Sequence, residues 1–222
     1  MTLPAHASEG VVLLHGLCRT SGCMQSMSNA LARAGFIVEN PGYPSRTASI
    51  AALADAAIGQ ALRSPKLAGC AKIHFVTHSL GGILVRSYFK RHSDPRLGRV
   101  VMLGPPNAGT EIVDRIGSWC LFRAINGPAG AELGTGPEST PNQLGPVDFE
   151  LGIIAGDRSI NWINSLLIKG PDDGKVSVKR TKVAGMKDHV TLHATHPFLM
   201  KNRQAIESTI HFLTNGSFAS KT

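Results

Sequence analysis

The sequence has no apolar run approaching the roughly 20 residues that a membrane-spanning helix needs. A transmembrane segment is therefore not expected. Hydrophobic residues make up 42% of the chain and charged residues 17%, a balance that excludes a disordered or fibrous protein. A length of 222 residues suits one globular domain covering residues 1–222.

Aromatic residues are scarce, at 5% of the chain, although the net charge is +8. Nucleic-acid binding usually requires aromatic side chains interleaved with a basic block, so this class of partner is not expected. A weak association with an anionic membrane surface stays open, because a positive field attracts such surfaces. The densest basic run, "KVSVKRTK" (residues 175–182), alternates in the way typical of a solvated strand face.

The four cysteines show no CxxC motif and no metal-ligand spacing, so no metal site is expected and their disulfide status stays open. The N-terminal "MTLPAHASEG" contains Ala-His-Ala, which resembles the end of a signal peptide, but it lacks the basic start and apolar stretch of one. A cytoplasmic location is favoured, with a periplasmic or secreted one as the alternative. The sequence predicts no particular oligomeric state.

Short apolar runs alternate with helix-like segments along most of the chain. The predicted strands are "GVVLLHG", "GFIVEN", "KIHFVTH", "RVVMLG", "ELGIIAG" and "TKVAG" (Thr181–Gly185). The predicted helices cover residues 24–34, 50–63, 80–91, 110–124 and 197–213. Strands that are apolar on both faces and separated by helices indicate an α/β fold, a mostly parallel twisted sheet with helices on both faces.

A Gly/Pro-rich segment, residues 126–147, interrupts this rhythm and cannot be one regular element. Long loops in compact domains are often functional, so this segment is a candidate to flank a substrate site; a packed surface excursion is the alternative. Ligands of parallel sheets bind at the carboxyl ends of the strands. The site is therefore expected near His15, Ser79, Gly104 and Gly156.

Ser79 lies between a predicted strand and a predicted helix, in "THSLGG". The stretch fits the G-x-S-x-G nucleophile elbow except at its first position, where Thr77 stands. Gly81 and Gly82 would let the helix pack close to the strand and leave the hydroxyl exposed. Ser79 is thus predicted to be a nucleophile, with an ordinary helix N-cap as the alternative.

A serine nucleophile needs a base and a group that orients the base. Three histidines cluster in "DHVTLHATHPFLM", and His196 is favoured because Pro197 starts a predicted helix there and would keep the ring on the site rim. His189 and His193 lie in or beside an extended stretch. The segment does not have the pattern of a metal-binding helix, and no set of acidic or cysteine ligands accompanies it.

Three carboxylates could orient the base. Asp173 lies in "PDDGKVSV", where Gly174 allows a tight turn, and is favoured over its neighbour Asp172. Asp157 directly follows "GIIAG" and is the other alternative. The two that do not serve as the acid would be turn or N-cap residues.

Negative charge on a substrate carbonyl oxygen must be met by preplaced donors, usually backbone N–H groups. The strand ending in His15-Gly16 would place the N–H of Leu17 beside that of Leu80, with His78 as a further supporting residue. Cys18 stands in the same loop, but a catalytic cysteine needs a paired histidine, and no sequence feature assigns one.

The motifs "LLHGL", "THSLGG", "DDGKV" and "THPFLM", in that order, resemble the α/β-hydrolase superfamily. The resemblance is to small bacterial lipases and esterases without a large cap domain, and "GPPNAGTE" (residues 104–111) is similar to a stretch found in them. It covers residues 11–213. The resemblance implies Ser79 as nucleophile, Asp173 as acid, His196 as base and an oxyanion hole at Leu17 and Leu80.

The same resemblance implies a serine hydrolase that cleaves small-molecule or lipid esters through an acyl-enzyme, without a cofactor. Two alternatives stay open. An acyltransferase would use the same residues with an alcohol or amine acceptor, and a non-catalytic binding protein would keep only the fold.

Overall fold

The computed structural model describes residues 9–117, 119–160 and 168–219. The interpretation of the N-terminal Ala-His-Ala falls on residues 1–8 and lies outside the described residues. Among the described residues, six strands form one sheet in the order β2-β1-β3-β4-β5-β6. The strands are β1 (Glu9–Leu14), β2 (Ile37–Glu39), β3 (Lys72–His78), β4 (Leu97–Leu103), β5 (Leu151–Gly156) and β6 (Asp188–Leu192).

Every neighbouring pair of these strands is parallel. The connecting helices are α1 (Gln25–Arg33), α2 (Ile50–Leu62), α3 (Leu80–Phe89), α4 (Glu111–Ile116), α5 (Cys120–Ala131), α6 (Thr140–Gln143), α7 (Val178–Thr181) and α8 (Arg203–Asn215). Short 3-10 helices cover Ser21–Met24, Pro65–Leu67 and His196–Lys201. The predicted α/β fold is confirmed, with a sheet that is parallel throughout its described pairs.

Two hydrophobic cores lie on the two faces of the sheet. Successive side chains of a strand point to opposite faces. Val12 and Leu14 of β1 therefore pack in the core that includes α2 and α3. Val11 and Leu13 pack in the other core, with α1 and α8. Helices thus cover both faces, as both-face-apolar strands require.

The prediction of a strand at Thr181–Gly185 is wrong. This segment begins with the last residue of α7 and ends in a turn, where Gly185 has φ +88° and a Cβ would meet the carbonyl oxygen of Val147 at 2.1 Å. The strand that pairs with β5 is β6, further along the chain. A short apolar stretch cannot reach the sheet edge when its own glycine turns the backbone away.

The predicted strand face in residues 175–182 is also wrong, because Val178–Thr181 forms α7. Ser177 caps this helix by accepting a hydrogen bond from the N–H of Arg180. Alternation of charged and apolar residues indicated a strand, but a serine N-cap ahead of the segment is also a helix-start signal.

The single helix predicted over 110–124 is two helices, α4 and α5, and α5 extends into the Gly/Pro-rich segment. Gly127 breaks α5 with φ +65° and ψ −171°, and Pro128 follows it. Residues 126–147 then contain the end of α5 and the short α6, so this segment is not one regular element. The predicted helix 197–213 is likewise divided, into a 3-10 helix and α8.

In the part of the chain that the structure describes, no helix combines the length and the apolar character that crossing a membrane requires. All four cysteines carry free thiols: Cys18, Cys23, Cys70 and Cys120.

Candidate active site

Ser79 occupies a sharp turn between β3 and α3. Its backbone has φ +52° and ψ −120°, a conformation that costs a non-glycine residue about 1–3 kcal/mol and that occurs mainly at functional sites. Ser79 holds the N-cap position of α3, yet its side chain accepts no capping hydrogen bond. The hydroxyl is thus left available rather than used to cap the helix.

Three glycines allow other chain segments to approach this turn. A Cβ on Gly81 would lie 2.6 Å from the carbonyl oxygen of Leu14, and one on Gly82 would lie 2.9 Å from the sulfur of Met102. A Cβ on Gly16 would meet the His78 ring at 2.8 Å and the Ser79 Cβ at 3.1 Å. Gly81 and Gly82 therefore pack α3 against β1 and β4, and Gly16 keeps the β1 exit beside Ser79.

His196 and Asp173 form a buried pair. The His196 Nδ1 lies 2.7 Å from the Asp173 Oδ2, and the His196 N–H donates to the Asp173 carbonyl oxygen at 2.9 Å. Because a carboxylate only accepts hydrogen bonds, Nδ1 carries the proton and Nε2 keeps a free lone pair. The ring is thereby oriented with a basic nitrogen directed away from Asp173.

The carboxylate of Asp173 is held from both sides. Its Oδ1 accepts hydrogen bonds from the N–H groups of Lys175 and Val176, at 3.0 and 2.9 Å, and its side chain is fully buried. Gly174 makes this turn possible with φ +96°. Asp172 accepts a hydrogen bond from the N–H of Gly174 at 2.7 Å and so forms part of the same turn.

Asp157 lies at the end of β5 but is paired with a different histidine. Its Oδ1 is 3.0 Å from the Nδ1 of His193, and both side chains are exposed to solvent. His189, the third histidine of the cluster, has its Nε2 3.0 Å from the Thr181 hydroxyl. The structure therefore brings Asp173, and not Asp157, to His196.

Leu80 directly follows Ser79, and Leu17 lines the same cavity as Ser79. Leu80 is the first residue of α3, where backbone N–H groups have no partner within the helix. Within the described residues, no hydrogen-bond acceptor is paired with the N–H of Leu17 or of Leu80. An oxyanion hole at these two N–H groups stays a prediction.

His15 is a positioning residue of the β1 exit. Its ring stacks on Tyr43 at 4.0 Å between centroids, its Nε2 accepts from the Tyr43 N–H and its Nδ1 donates to the Gly16 carbonyl oxygen at 2.9 Å. The Tyr43 hydroxyl donates to the His15 carbonyl oxygen. Burial lowers the pKa of His15, which keeps the ring neutral in this arrangement.

His78 forms a hydrogen bond with the backbone of the proposed base, His196. Its Nε2 donates to the carbonyl oxygen of His196 at 2.9 Å, and the two rings lie 4.7 Å apart. Complete burial lowers the pKa of His78 well below its ordinary value. A neutral His78 therefore adds no positive charge beneath His196.

Ser79 and His196 line one cavity of about 470 Å³. Half of its other lining residues have apolar side chains: Leu17, Pro106, Ile112, Val113, Ile125, Leu133 and Val176. The Gly/Pro-rich segment contributes Asn126, Gly130 and Leu133 to these walls. The cavity can enclose an apolar group next to a serine hydroxyl and an imidazole.

Cys18 also borders the cavity, but among the described residues it forms no hydrogen bond with a histidine. Its Sγ donates to the carbonyl oxygen of Ile125 at 3.5 Å and to the Asn126 Oδ1 at 3.7 Å. Across the described ranges, no three His, Cys, Asp or Glu side chains are grouped as a candidate metal site.

Gly104 and Asn107, in the "GPPNAGTE" stretch, position the site from the end of β4. Gly104 has φ +56°, and a Cβ there would lie 2.9 Å from the Asp173 Oδ2 and 3.1 Å from the His196 Nδ1. Asn107 is buried and donates to the Thr181 carbonyl oxygen at 2.7 Å. The sequence placed this stretch near the site but did not predict its positioning role. The signal that could have indicated this role is a glycine directly after a strand.

Tyr43 and Arg86 carried no sequence signal of their own. Arg86 is buried in α3 without a carboxylate partner, and it donates to the carbonyl oxygens of Asn107, Pro141 and Gly145 at 2.7–3.0 Å. It thus ties the Gly/Pro-rich segment to the helix that follows Ser79.

Known structures share this architecture. The mature lipase BlEst2 from Bacillus licheniformis is 20% identical, with a TM-score of 0.78 over 95% of this chain and 94% of that one. One of the metagenome-derived lipolytic enzymes LipS and LipT is 15% identical, with a TM-score of 0.68 over 94% of each chain. The metagenomic carboxyl esterase MGS0156 is 18% identical, with a TM-score of 0.65 over 86% of this chain and 65% of that one. Among curated proteins, none matches the sequence.

At these identities the structural likeness shows the fold. The sequence itself matches the profile of the alpha/beta hydrolase family over residues 11–200. This match covers most of the chain and includes Ser79, Asp173 and His196. The protein belongs to the alpha/beta hydrolase family.

Proposed function

We propose that this protein is a serine hydrolase that cleaves carboxylic esters through an acyl-enzyme. The observation that carries the proposal is the buried His196–Asp173 pair, with 2.7 Å between Nδ1 and Oδ2, on the same cavity as the strained Ser79. A nucleophile, a base and a group orienting that base are the parts that acyl transfer requires.

In the proposed mechanism, the Ser79 hydroxyl attacks the ester carbonyl carbon while the Nε2 of His196 takes its proton. Asp173 holds the imidazole in the required tautomer and stabilises the imidazolium that forms. The N–H groups of Leu17 and Leu80 donate to the developing oxyanion, where one such donor is worth roughly 2.7–4 kcal/mol.

Collapse of this intermediate releases the alcohol, which receives the proton from His196. A water molecule, deprotonated by His196, then attacks the acyl-enzyme, and the second collapse returns the proton to Ser79 and releases the acid. The residues perform both halves of the reaction without a cofactor.

The proposed substrates are small-molecule or lipid esters. The apolar walls of the cavity suit an acyl or alkyl chain, and the similar structures include a lipase, a lipolytic enzyme and a carboxyl esterase. Because apolar side chains surround Ser79, the cavity favours an apolar group on at least one side of the ester.

Hydrolysis of p-nitrophenyl esters of increasing chain length tests the proposal. We expect wild type to hydrolyse them and Ser79→Ala to lose at least about 10³-fold in kcat/KM, whereas Ser26→Ala, at an exposed serine of α1, should match wild type. A fluorophosphonate probe should label Ser79 in the folded protein. Folded wild type that neither hydrolyses any ester nor forms this adduct would contradict the proposal.

A further inference from the structure

Two cations without partners border the proposed catalytic cavity. The side chains of Arg19 and Lys175 line it and are exposed, and among the described residues neither forms a hydrogen bond or ion pair through its charged group. Arg19 follows the Leu17–Cys18 turn, and Lys175 follows Asp173. One positive charge therefore lies on the loop of Leu17, and the other on the loop of Asp173.

Among the described residues, no carboxylate lines this cavity. The nearby acidic side chains are engaged elsewhere: Glu111 pairs with Arg180 at 2.6 Å, Asp114 accepts from the Thr135 N–H at 2.8 Å, and Glu132 accepts from the Thr140 hydroxyl at 2.7 Å. Asp173 is buried against His196. The charge presented to a ligand in the cavity is thus positive.

A second cavity of about 430 Å³ adjoins the first, and the two share Cys18, Arg19 and Ile125. Its other walls include Arg46, and no acidic residue in the described part of the chain borders it. Arg46 donates to the Ile125 carbonyl oxygen at 3.3 Å, which leaves the rest of its guanidinium toward solvent. Arg19 therefore lies between the two cavities, and Arg46 lines the second one.

The charge of Arg19 acts on His78, whose ring lies 4.7 Å from that of His196. Burial is the largest cause of the low pKa of His78, and the positive charge of Arg19 is one of the smaller causes. Arg19 is therefore near enough to influence the group directly beneath His196.

We propose that the ester substrate carries an anionic group, a carboxylate or a phosphate, and that Arg19 binds this group between the two cavities, with Arg46 in the second one. The inference rests on the proposed function, because it names the substrate class of the same site. A guanidinium suits either anion, since its planar fork donates two parallel hydrogen bonds.

Matched ester pairs test this inference. A p-nitrophenyl monoester of glutaric acid is compared with its methyl-capped diester, and a butyrate ester of p-hydroxybenzoate with that of p-hydroxybenzamide, so that the anion stands on either side of the ester. Hydrolysis of a short-chain phosphatidylglycerol against the uncharged diacylglycerol with the same acyl chains separates a lipid phosphate from a free carboxylate. The readout is the ratio of kcat/KM for the anionic and the neutral partner.

We expect this ratio to favour the anionic partner in wild type and to fall about fivefold in Arg19→Gln, as for an exposed charge pair. It should fall further in Arg19→Glu and less in Arg46→Gln, and added salt should reduce it in wild type. Arg33→Gln, which removes an exposed cation on α1, is the matched control and should keep the wild-type ratio.

The inference is overturned if Ser79-dependent hydrolysis occurs but the ratio is the same in wild type, Arg19→Gln and Arg19→Glu. A wild-type preference for every neutral partner overturns it as well. If no ester in the set is hydrolysed by folded wild type, the proposed function itself fails, so the two failures are distinguishable.

Discussion

Two Asp–His pairs of the same chemistry lie in the C-terminal part of the chain. In the first, Asp173 and His196 are 2.7 Å apart and the side chains are 0% and 8% exposed. In the second, Asp157 and His193 are 3.0 Å apart and the side chains are 37% and 75% exposed. The residue types are identical, and only the surroundings differ.

The surroundings decide what each pair can do. Water competes for the exposed pair and screens its charges, so such a pair contributes about 0–1 kcal/mol and its side chains remain free to move. The buried carboxylate instead accepts two backbone N–H groups as well as the imidazole. It therefore holds one orientation, which is the property that an acid orienting a catalytic base needs.

The largest expected effect comes from removing each carboxylate in turn. Asp173→Asn should lower kcat by roughly 10⁴-fold, as measured for the equivalent change in a serine protease, because the amide cannot enforce the required tautomer. The amide oxygen can still accept the two N–H groups, so the fold should persist. Asp157→Asn is the matched control and should stay within about twofold of wild type, measured with a p-nitrophenyl ester.

The opposite result would reverse the assignment. If Asp157→Asn loses activity and Asp173→Asn does not, the exposed Asp157–His193 pair supplies the acid and the base. Burial would then not be what distinguishes the catalytic pair. Circular dichroism of both variants would show that the fold is retained.

A smaller effect is expected from crowding the buried pair. Gly104→Ala should lower kcat about 10- to 100-fold, because a Cβ would lie 2.9 Å from the Asp173 Oδ2 and 3.1 Å from the His196 Nδ1 and would displace the pair. Gly145 has a similar φ, +69°, with nothing within 4 Å of a Cβ. Gly145→Ala therefore carries the backbone strain alone, roughly 1 kcal/mol, and is the control.

Steady-state kinetics and urea denaturation of both glycine variants separate strain from displacement. Equal loss of activity in Gly104→Ala and Gly145→Ala would mean that contact with the Asp173–His196 pair is not the cause.

The smallest expected effect is on the pH dependence of stability. Burial lowers the pKa of His78 in the folded protein, so the unfolded chain binds the proton first as the pH falls. The stability that neutral His78 contributes is present above about pH 6.5 and is lost as the pH falls below it. His78→Gln should make this slope shallower, by at most about 1.4 kcal/mol per pH unit.

Urea denaturation between about pH 5 and pH 8 measures this slope. His193→Gln, which removes the exposed histidine of the other pair, is the control and should keep the wild-type slope. An unchanged slope in His78→Gln would show that the proton uptake lies elsewhere, for example at His15 or His74, whose pKa values burial also lowers.

Most of the fold could be predicted because strands and helices carry local periodicity. Runs such as "VVLL" and "GIIAG" are apolar on both faces, which only a strand covered by helices can bury. The failures included Thr181–Gly185 and residues 175–182, where the local pattern was ambiguous, and the single helices predicted over 110–124 and 197–213, each of which is divided. Which segment pairs with β5 depends on where the chain returns to the sheet, and that is a nonlocal property.

The sequence by itself determined the order of the motifs, the strand-to-helix turn at Ser79 and the small residues that this turn requires, since each depends on neighbours in the chain. Only the tertiary structure decided that Asp173 faces His196 while Asp157 pairs with His193, that Gly104 leaves room for the first pair, and that Arg19 stands between two cavities. Burial and distance between residues far apart in sequence arise when the sheet assembles. No local pattern distinguishes a carboxylate that will be buried from one that will remain in water.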